Sequence, residues 1–289
     1  MPKANKTLFL VALFFVSVIA LHFLVTLRAR ITSPSGVRVS LPLPIQIFIP
    51  KSQSKTPVPA PVPAPKIPPE YFGEKIVYDV RYGALSLGRS QFNSIARVEL
   101  DGRQLNLLVF ETKLNRFSDT EKIYSDPLTT LPVRVERTVL NWLSHEKITE
   151  EYDQQGFTVT ITKAKGQKQQ KTVIKKSGYI NNPILLPYYV RNIPRLEVGT
   201  SLVANLPNRR FEIRMTAIEN IKVPAGTFKA YRFESTPRQI EIWISADARR
   251  IPIKIQGTGL FGYLMLMKEY YPPNTGAAGD LFASGDTRP

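Results

Sequence analysis

Two stretches of alternating isoleucine in the last quarter of the chain constrain its fold more than any other feature. Ile240–Ser245 carries isoleucine at every second position, and Ile251–Gln256 does the same. A period of two is that of a half-buried β-strand, whose successive side chains point to opposite faces. Asp247 lies between the two stretches, and aspartate caps turns with its own side chain. The sequence therefore predicts an antiparallel hairpin with isoleucine on one face.

Further short runs with the same alternation predict about a dozen strands separated by turn residues. Asp101-Gly102 between two such runs is a strong signal for a two-residue hairpin. The other runs are 76–82, a new run beginning at 85–88, 90–100, 103–114, 122–125, 132–143, 145–152, 157–163, 171–175, 201–206, 210–221, 227–234 and 260–270. Strands at this spacing predict an all-β, mainly antiparallel fold, either a curved half-open barrel or a sandwich.

One segment interrupts the strand pattern. Asn182 is a capping residue, Pro183 follows at the first helical position, and Tyr188 and Tyr189 cluster a turn later. We expect a short helix laid across the sheet.

Composition excludes several kinds of chemistry. The chain has no cysteine and two histidines, so thiolate nucleophiles, disulfides and zinc sites built on several histidines are excluded. No nucleotide-binding fingerprint occurs, and we expect no cofactor and no metal. The net charge of +16 would attract anionic lipid headgroups or other polyanions, although most lysines of such a chain are simply solvated.

The chain divides into four predicted parts. Leu8–Leu27 has no charged residue, and a helix of that length spans roughly the 30 Å of a bilayer core. Residues 1–30 are therefore predicted to be an uncleaved signal anchor, and a cleaved signal peptide is the alternative. Residues 31–70 form a linker rich in proline, which favours an extended polyproline stalk. Residues 71–272 form the β domain, and the polar residues 273–289 are predicted to be a disordered tail.

Few residues are candidates for catalysis. His145 is the one histidine outside the apolar N-terminal run, but its neighbour Ser144 would point to the opposite face of a strand. Glu150 and Asp153 lie in an acidic cluster beside a turn, where paired carboxylates could act as acid and base but are usually only solvated. We therefore predict that the protein is not an enzyme, and keep an envelope hydrolase that uses these carboxylates as the alternative.

A second kind of site is an apolar cavity for a lipid or acyl chain. Large apolar and aromatic residues lie on both faces of the predicted last strand and on the predicted helix. They are either core residues or the lining of a cavity inside a curved sheet. The candidate ligand-binding residues are Tyr188, Tyr189, Trp243, Tyr263, Met265 and Met267.

A lysine-rich hairpin around Gly166 is the third candidate. It could contact an anionic membrane surface, at about 1 kcal/mol per lysine, or could simply protect an edge strand from aggregation. Its lysines are Lys163, Lys165, Lys168, Lys171, Lys175 and Lys176.

Four stretches of the chain resemble the bacterial cell-envelope proteins grouped as the domain of unknown function DUF3108. They are Tyr82–Gly88, Leu186–Gly199, Val223–Tyr231 and Ile240–Ile255. Where many members have Asp-x-x-Ser, this chain has Asn-Pro-Ile-Leu at 182–185. The resemblance implies export across the inner membrane, a β-rich fold similar to the half-open barrels of lipoprotein carriers, and no established catalytic residue.

The uncharged run predicts a single span of a bacterial inner membrane. The basic residues on its two sides are nearly balanced and leave the orientation open, and the family resemblance implies that the C-terminal domain lies in the periplasm. The expected role is non-catalytic binding of a lipid, a glycan or an envelope protein, with no nucleic-acid partner. A purely structural role in the envelope is compatible with the same features.

Overall fold

The computed structural model describes residues 71–142, 144–258 and 262–273. The predicted signal anchor, the proline-rich linker and the predicted tail beyond residue 273 lie outside these residues. Within them, no helical segment is long and apolar enough to cross a membrane.

The described residues form fourteen strands in one antiparallel sheet. The strands are β1 Lys75–Tyr82, β2 Leu85–Leu100, β3 Arg103–Leu114, β4 Phe117–Ser125, β5 Pro132–Asn141, β6 Ser144–Asp153, β7 Thr158–Lys165, β8 Lys168–Lys175, β9 Ser201–Asn205, β10 Arg210–Val223, β11 Gly226–Thr236, β12 Ile240–Ser245, β13 Pro252–Gly257 and β14 Leu264–Tyr271.

The sheet consists of two meanders, β1–β8 and β9–β14, joined where β1 pairs with β14. Strands β8 and β9 are its two edges, so the sheet is open. The predicted all-β antiparallel fold is confirmed, and it takes the form of one continuous open sheet.

Tight turns explain why neighbouring segments pair. Asp101 and Gly102 both have positive φ, 51° and 73°, as the predicted two-residue hairpin turn between β2 and β3 requires. In the same hairpin, a Cβ atom on Gly88 would lie 2.3 Å from the carbonyl oxygen of Lys113, so only glycine lets the two strands approach there.

The predicted helix connects the two meanders. A 3₁₀ turn at Pro183–Leu185 leads into helix α1, Leu186–Arg191, and the Asn182 side chain accepts a hydrogen bond of 2.8 Å from the Ile184 amide. Asn182 therefore caps this segment as predicted.

An ion pair buried in the core holds α1 against the sheet. Arg191 donates two hydrogen bonds, of 2.7 and 2.8 Å, to Glu74, and both side chains are only 1 % exposed. The Arg191 guanidinium also lies 3.8 Å from the ring centroid of Tyr71 and donates to the Arg249 carbonyl. Arg250 donates to the carbonyls of Arg191, Ile193 and Pro194. The end of α1 is thus tied to the start of β1 and to the β12–β13 turn.

The isoleucine hairpin forms as predicted. Asp247 accepts hydrogen bonds from the amides of Arg249 and Arg250 and from the Ser245 hydroxyl, which caps the turn. The other face of β12 is buried as well, because Arg232 and Arg238 cover it by pairing with Glu241. Strand β12 is therefore buried on both faces from Glu241 onward, rather than half-buried.

The hydrophobic core lies on one face of the sheet, here called the inner face, and α1 packs against that face. Buried residues from both meanders and from α1 belong to one cluster, which includes Ile123 and Val135 of the first meander and Ile242 and Ile255 of the second. Because strands far apart in the sheet contribute to one core, the inner face is concave.

Candidate binding cavity

A cavity of about 140 Å³ lies between the inner face and the helical connection, and it is partly open to solvent. Strands β1–β5 and β12–β13, the start of β14 and the 3₁₀ turn all contribute to its wall. Its lining is mainly apolar: Val80, Phe92, Phe110, Leu114, Phe117, Pro183, Ile184, Pro187, Ile240, Ile255, Tyr263 and Met265. Ser90, Thr112, Asp119, Glu121 and Arg137 complete it.

The alternation of the strands positions this lining. Phe92 pairs with Phe110 across β2 and β3, and Val80 pairs with Met265 across β1 and β14, so each pair points into the same interior. Gly257 makes room for Tyr263, because a Cβ atom at Gly257 would lie 2.5 Å from the Tyr263 ring. Residues of both meanders and of the helical connection therefore supply an apolar wall.

The opposite end of the cavity is charged. Asp119 and Glu121 are two residues apart on β4 and share the inner face, and Glu121 pairs with Arg137 of β5. Arg137 binds Asp119 through both Nε, at 2.9 and 3.1 Å, and Nη2, at 2.5 Å. Its Nε lies 3.4 Å from Glu121 Oε1. Bidentate guanidinium–carboxylate pairing of this kind fixes both side chains.

Burial controls the protonation of Glu121. Removal from water raises the pKa of Glu121 to about 8, Arg137 opposes this rise, and the nearby Asp119 and Glu150 carboxyls add to it. Glu150 is the next acidic group on the inner face, and burial raises its pKa too. The Tyr152 hydroxyl donates a hydrogen bond of 2.5 Å to Glu150, and Lys163 of β7 acts on the same carboxyl.

The six predicted ligand-binding residues fall into four environments. Tyr263 and Met265 line the cavity. Met267 and Tyr189 belong to the solid part of the core, and Tyr188 lines a separate pocket of about 40 Å³. In that pocket the buried Tyr188 hydroxyl has no hydrogen-bond partner among the described residues.

Trp243 lies on the opposite, outer face of the sheet. Its ring packs under Lys254, whose Nζ is 3.8 Å from the ring centroid, and its Nε1 donates a hydrogen bond of 2.5 Å to Glu219. Trp243 is 3 % exposed because Arg232 and Lys254 cover it, not because it lines the cavity.

The six lysines are divided between the two faces of the β7–β8 hairpin. Gly166 has φ 58° at the predicted tip, and Lys165 pairs with Lys168 across it. These two lysines and Lys163 share the inner face with Ile161, whereas Lys171 and Lys175 lie on the outer face. Lys176 follows the strand, and partial burial lowers its pKa.

The carboxylates considered for hydrolysis do not converge. Glu150 lies on the inner face, whereas Asp153 caps the next turn by accepting hydrogen bonds from the amides of Gln155 and Gly156. His145 is exposed on β6. In the described part of the chain, no three His, Asp or Glu side chains cluster closely enough to hold a metal ion.

Sequence reasoning missed the polar end of the cavity formed by Asp119, Glu121 and Arg137. One signal for it was present. Phe117, Asp119, Glu121 and Ile123 occupy every second position, so the two acids stand where the alternation of β4 demands inward-facing residues.

The fold and the site define an open, antiparallel β-sheet domain whose concave face, covered by a short helix, encloses a cavity with one apolar and one charged wall. Residues 77–268 match the family described as a protein of unknown function, DUF3108, and the chain belongs to that family. The predicted membership is therefore confirmed.

Two solved structures are similar to this chain over 70 % of its length and 97 % of theirs. One is described as an exported protein with a YmcC-like fold from Bacteroides fragilis, at 8 % identity and a TM-score of 0.27. The other is described as a lipoprotein from Parabacteroides distasonis, at 10 % identity and a TM-score of 0.24. No curated protein matches the chain significantly.

Proposed function

We propose that the domain is a non-catalytic binding protein that holds the apolar part of an amphiphile in the cavity beneath α1. The observation that carries this proposal is the wall built by Phe110, Ile255, Tyr263 and Met265, which leaves space where a closely packed protein interior has none. Ligand pockets are concave and mostly apolar, with a few polar groups that orient the ligand. This cavity has both properties.

The volume limits what the cavity can hold. An apolar cavity of about 150 Å³ is large enough to bind benzene, so 140 Å³ accommodates a short stretch of alkyl chain. The remainder of a longer ligand would leave through the open side. Opening of the helical connection would be needed to bury a whole lipid.

The proposed location is the bacterial envelope. An anchor at Leu8–Leu27 in the inner membrane and the proline-rich linker would hold the domain in the periplasm at a distance from the bilayer. An amphiphile-binding domain on such a stalk could reach lipids or an envelope protein partner.

Photo-crosslinking tests the proposal without removing the protein from a membrane. The full chain in zwitterionic nanodiscs is irradiated with an octanol analogue that carries a diazirine on its chain, and the labelled peptides are sequenced by mass spectrometry. We expect label on peptides that contain Phe110 and Met265.

The matched variants are Ile184→Trp, which places an indole at the cavity wall, and Ile218→Trp, which places it on an exposed position of β10. We expect Ile184→Trp to lose most of the cavity label and Ile218→Trp to keep it. Label confined to the Leu8–Leu27 peptide, or spread evenly over the surface, would refute the proposal and leave a structural role.

A further inference from the structure

The charged wall of the cavity contains more acid than base. Asp119, Glu121 and Arg137 line the cavity, and Glu150 of β6 and Lys163 of β7 are charged neighbours of this wall on the same face, so three carboxyl groups stand against two basic groups. With every group ionised, this set of side chains carries one uncompensated negative charge, and the raised pKa of Glu121, about 8, means that without a ligand a proton on Glu121 relieves it near neutral pH. A buried charge without a partner is costly, so the identity of the unsatisfied group matters.

Glu121 is that group. Arg137 is engaged with Asp119 in a bidentate pair, and Glu150 accepts a hydrogen bond from Tyr152. The Glu121 carboxyl receives no hydrogen bond within the described residues, and its nearest cationic atom is Arg137 Nε at 3.4 Å. Glu121 is 9 % exposed and lines the cavity.

The other polar groups of the wall do not change this balance. The hydroxyls of Ser90 and Thr112 bond to each other at 2.8 Å. All other lining residues are apolar apart from the Tyr263 hydroxyl.

We propose that the cavity selects amphiphiles with a primary amine head group, whose ammonium binds Glu121 while the alkyl chain lies along Phe110 and Met265. This inference rests on the proposed function. An ammonium takes the place of the proton that Glu121 otherwise keeps: it donates hydrogen bonds to the ionised carboxyl and compensates its charge, whereas a carboxylate or phosphate head would add negative charge beside Asp119 and Glu121. A hydroxyl head can hydrogen-bond to the carboxyl but cannot compensate its charge when it is ionised.

Three diazirine probes of equal chain length, an amine, an alcohol and a carboxylate, test the inference on the full chain in zwitterionic nanodiscs. Hydrogen bonds to charged groups exceed neutral ones by an amount that corresponds to about tenfold in affinity. At pH 9, where Glu121 is ionised, we therefore expect the amine to label the cavity peptides at about one tenth of the alcohol concentration, and the carboxylate to label them least.

Variants separate Glu121 from the rest of the wall. Glu121→Gln should remove the preference for the amine and keep labelling by the alcohol, while Glu121→Asp, which retains the carboxyl group, should keep part of the preference. Glu99→Gln, at an exposed position of β2, is the control. A circular dichroism spectrum of each variant verifies folding.

The outcomes distinguish the two proposals. Equal labelling by the three probes, or an amine preference that survives Glu121→Gln, would overturn the selectivity and leave the cavity function standing. Absence of cavity label with all three probes would overturn the cavity function itself.

Discussion

The two meanders use the same concave face in different ways. In β9–β14 the inward positions are apolar, as in the isoleucines of β12 and β13. In β3–β7 the inward positions include Asp119, Glu121, Arg137 and Glu150 among apolar neighbours. Both halves therefore contribute to the core, and the first half also places a charged wall on the concave face.

This difference explains why the most recognisable stretch of the sequence, the Ile240–Ile255 hairpin, has a structural role and does not form the charged wall. In the Ile240–Ile255 hairpin, Asp247 closes the turn and Arg250 holds the three carbonyls at the end of α1. Tyr78 donates a hydrogen bond of 2.6 Å to the Pro252 carbonyl, which ties the same hairpin to β1. The charged wall, with the raised pKa values of Glu121 and Glu150, lies in the other half, outside the four stretches that carry the family resemblance.

The largest predicted effect on stability concerns the buried ion pair between Arg191 and Glu74, which connects the two halves. Arg191→Ala leaves Glu74 buried at 1 % exposure without its cation, and breaking a buried ion pair costs about 3–5 kcal/mol. We expect the free energy of unfolding of the full chain to fall by this amount in urea titrations followed by tryptophan fluorescence, with Trp142 and Trp243 reporting on the two meanders.

Arg195→Ala is the control for that experiment. Arg195 also forms an ion pair, with Glu197 at 2.6 Å, but its side chain is 78 % exposed, so the loss should stay below about 1 kcal/mol. A similar loss of unfolding free energy in the two variants would contradict the prediction. So would a loss in Arg191→Ala that Trp243 alone reports, because Glu74 and Arg191 would then not join the two halves.

The polar wall should make the stability of the protein depend on pH between about pH 5 and 9. The pKa of Glu121 is about 8 in the folded state against an ordinary value of 4.5. The folded state therefore keeps a proton that the unfolded state releases, and this contribution to stability is fully present below pH 4.5 and is lost as the pH rises through 8. The slope for one proton is at most about 1.4 kcal/mol per pH unit.

Glu121→Gln should flatten this fall, measured as the free energy of unfolding at intervals between pH 5 and 9. A smaller fall remains because burial also raises the pKa of Glu150. The exposed substitution Glu99→Gln should leave the curve unchanged. A variant curve that still matches that of the unsubstituted protein would show that Glu121 titrates as a solvated carboxyl.

Sequence periodicity predicted the fold well where one face of a strand is apolar. The turn at Asp101-Gly102, the cap at Asn182 and the isoleucine hairpin depend on local chemistry and are confirmed. Strand β4 was predicted only from Lys122, whereas it begins at Phe117. Its first inward residues are Phe117, Asp119 and Glu121, and acids at inward positions hide the alternation on which the prediction depends.

The site was predicted only in part for a related reason. Tyr263 and Met265 were recognisable as large apolar residues on a late strand, but the same property describes Met267 and Tyr189, which are core. Which of them borders a cavity depends on the curvature of the whole sheet. The pairing of Glu121 with Arg137 depends on the register of β4 and β5, which neither strand specifies alone.

The smallest predicted effect concerns the surface of the polar half. If the β7–β8 tip contacts anionic membranes, the inner-face pair Lys165 and Lys168 should matter more than the outer-face pair Lys171 and Lys175, because the first pair lies at the turn itself. Each lysine near a charged surface contributes about 1 kcal/mol, or about fivefold in affinity. The measurement is cosedimentation of the full chain, held in zwitterionic nanodiscs, with anionic vesicles. The affinity for the vesicles should fall more when Lys165 and Lys168 are both replaced by glutamine than when Lys171 and Lys175 are. The difference between the two double variants should shrink at high salt. Equal losses for the two pairs would mean that net charge alone attracts the protein to the membrane, and that the lysines of this hairpin serve only to protect the edge strand β8.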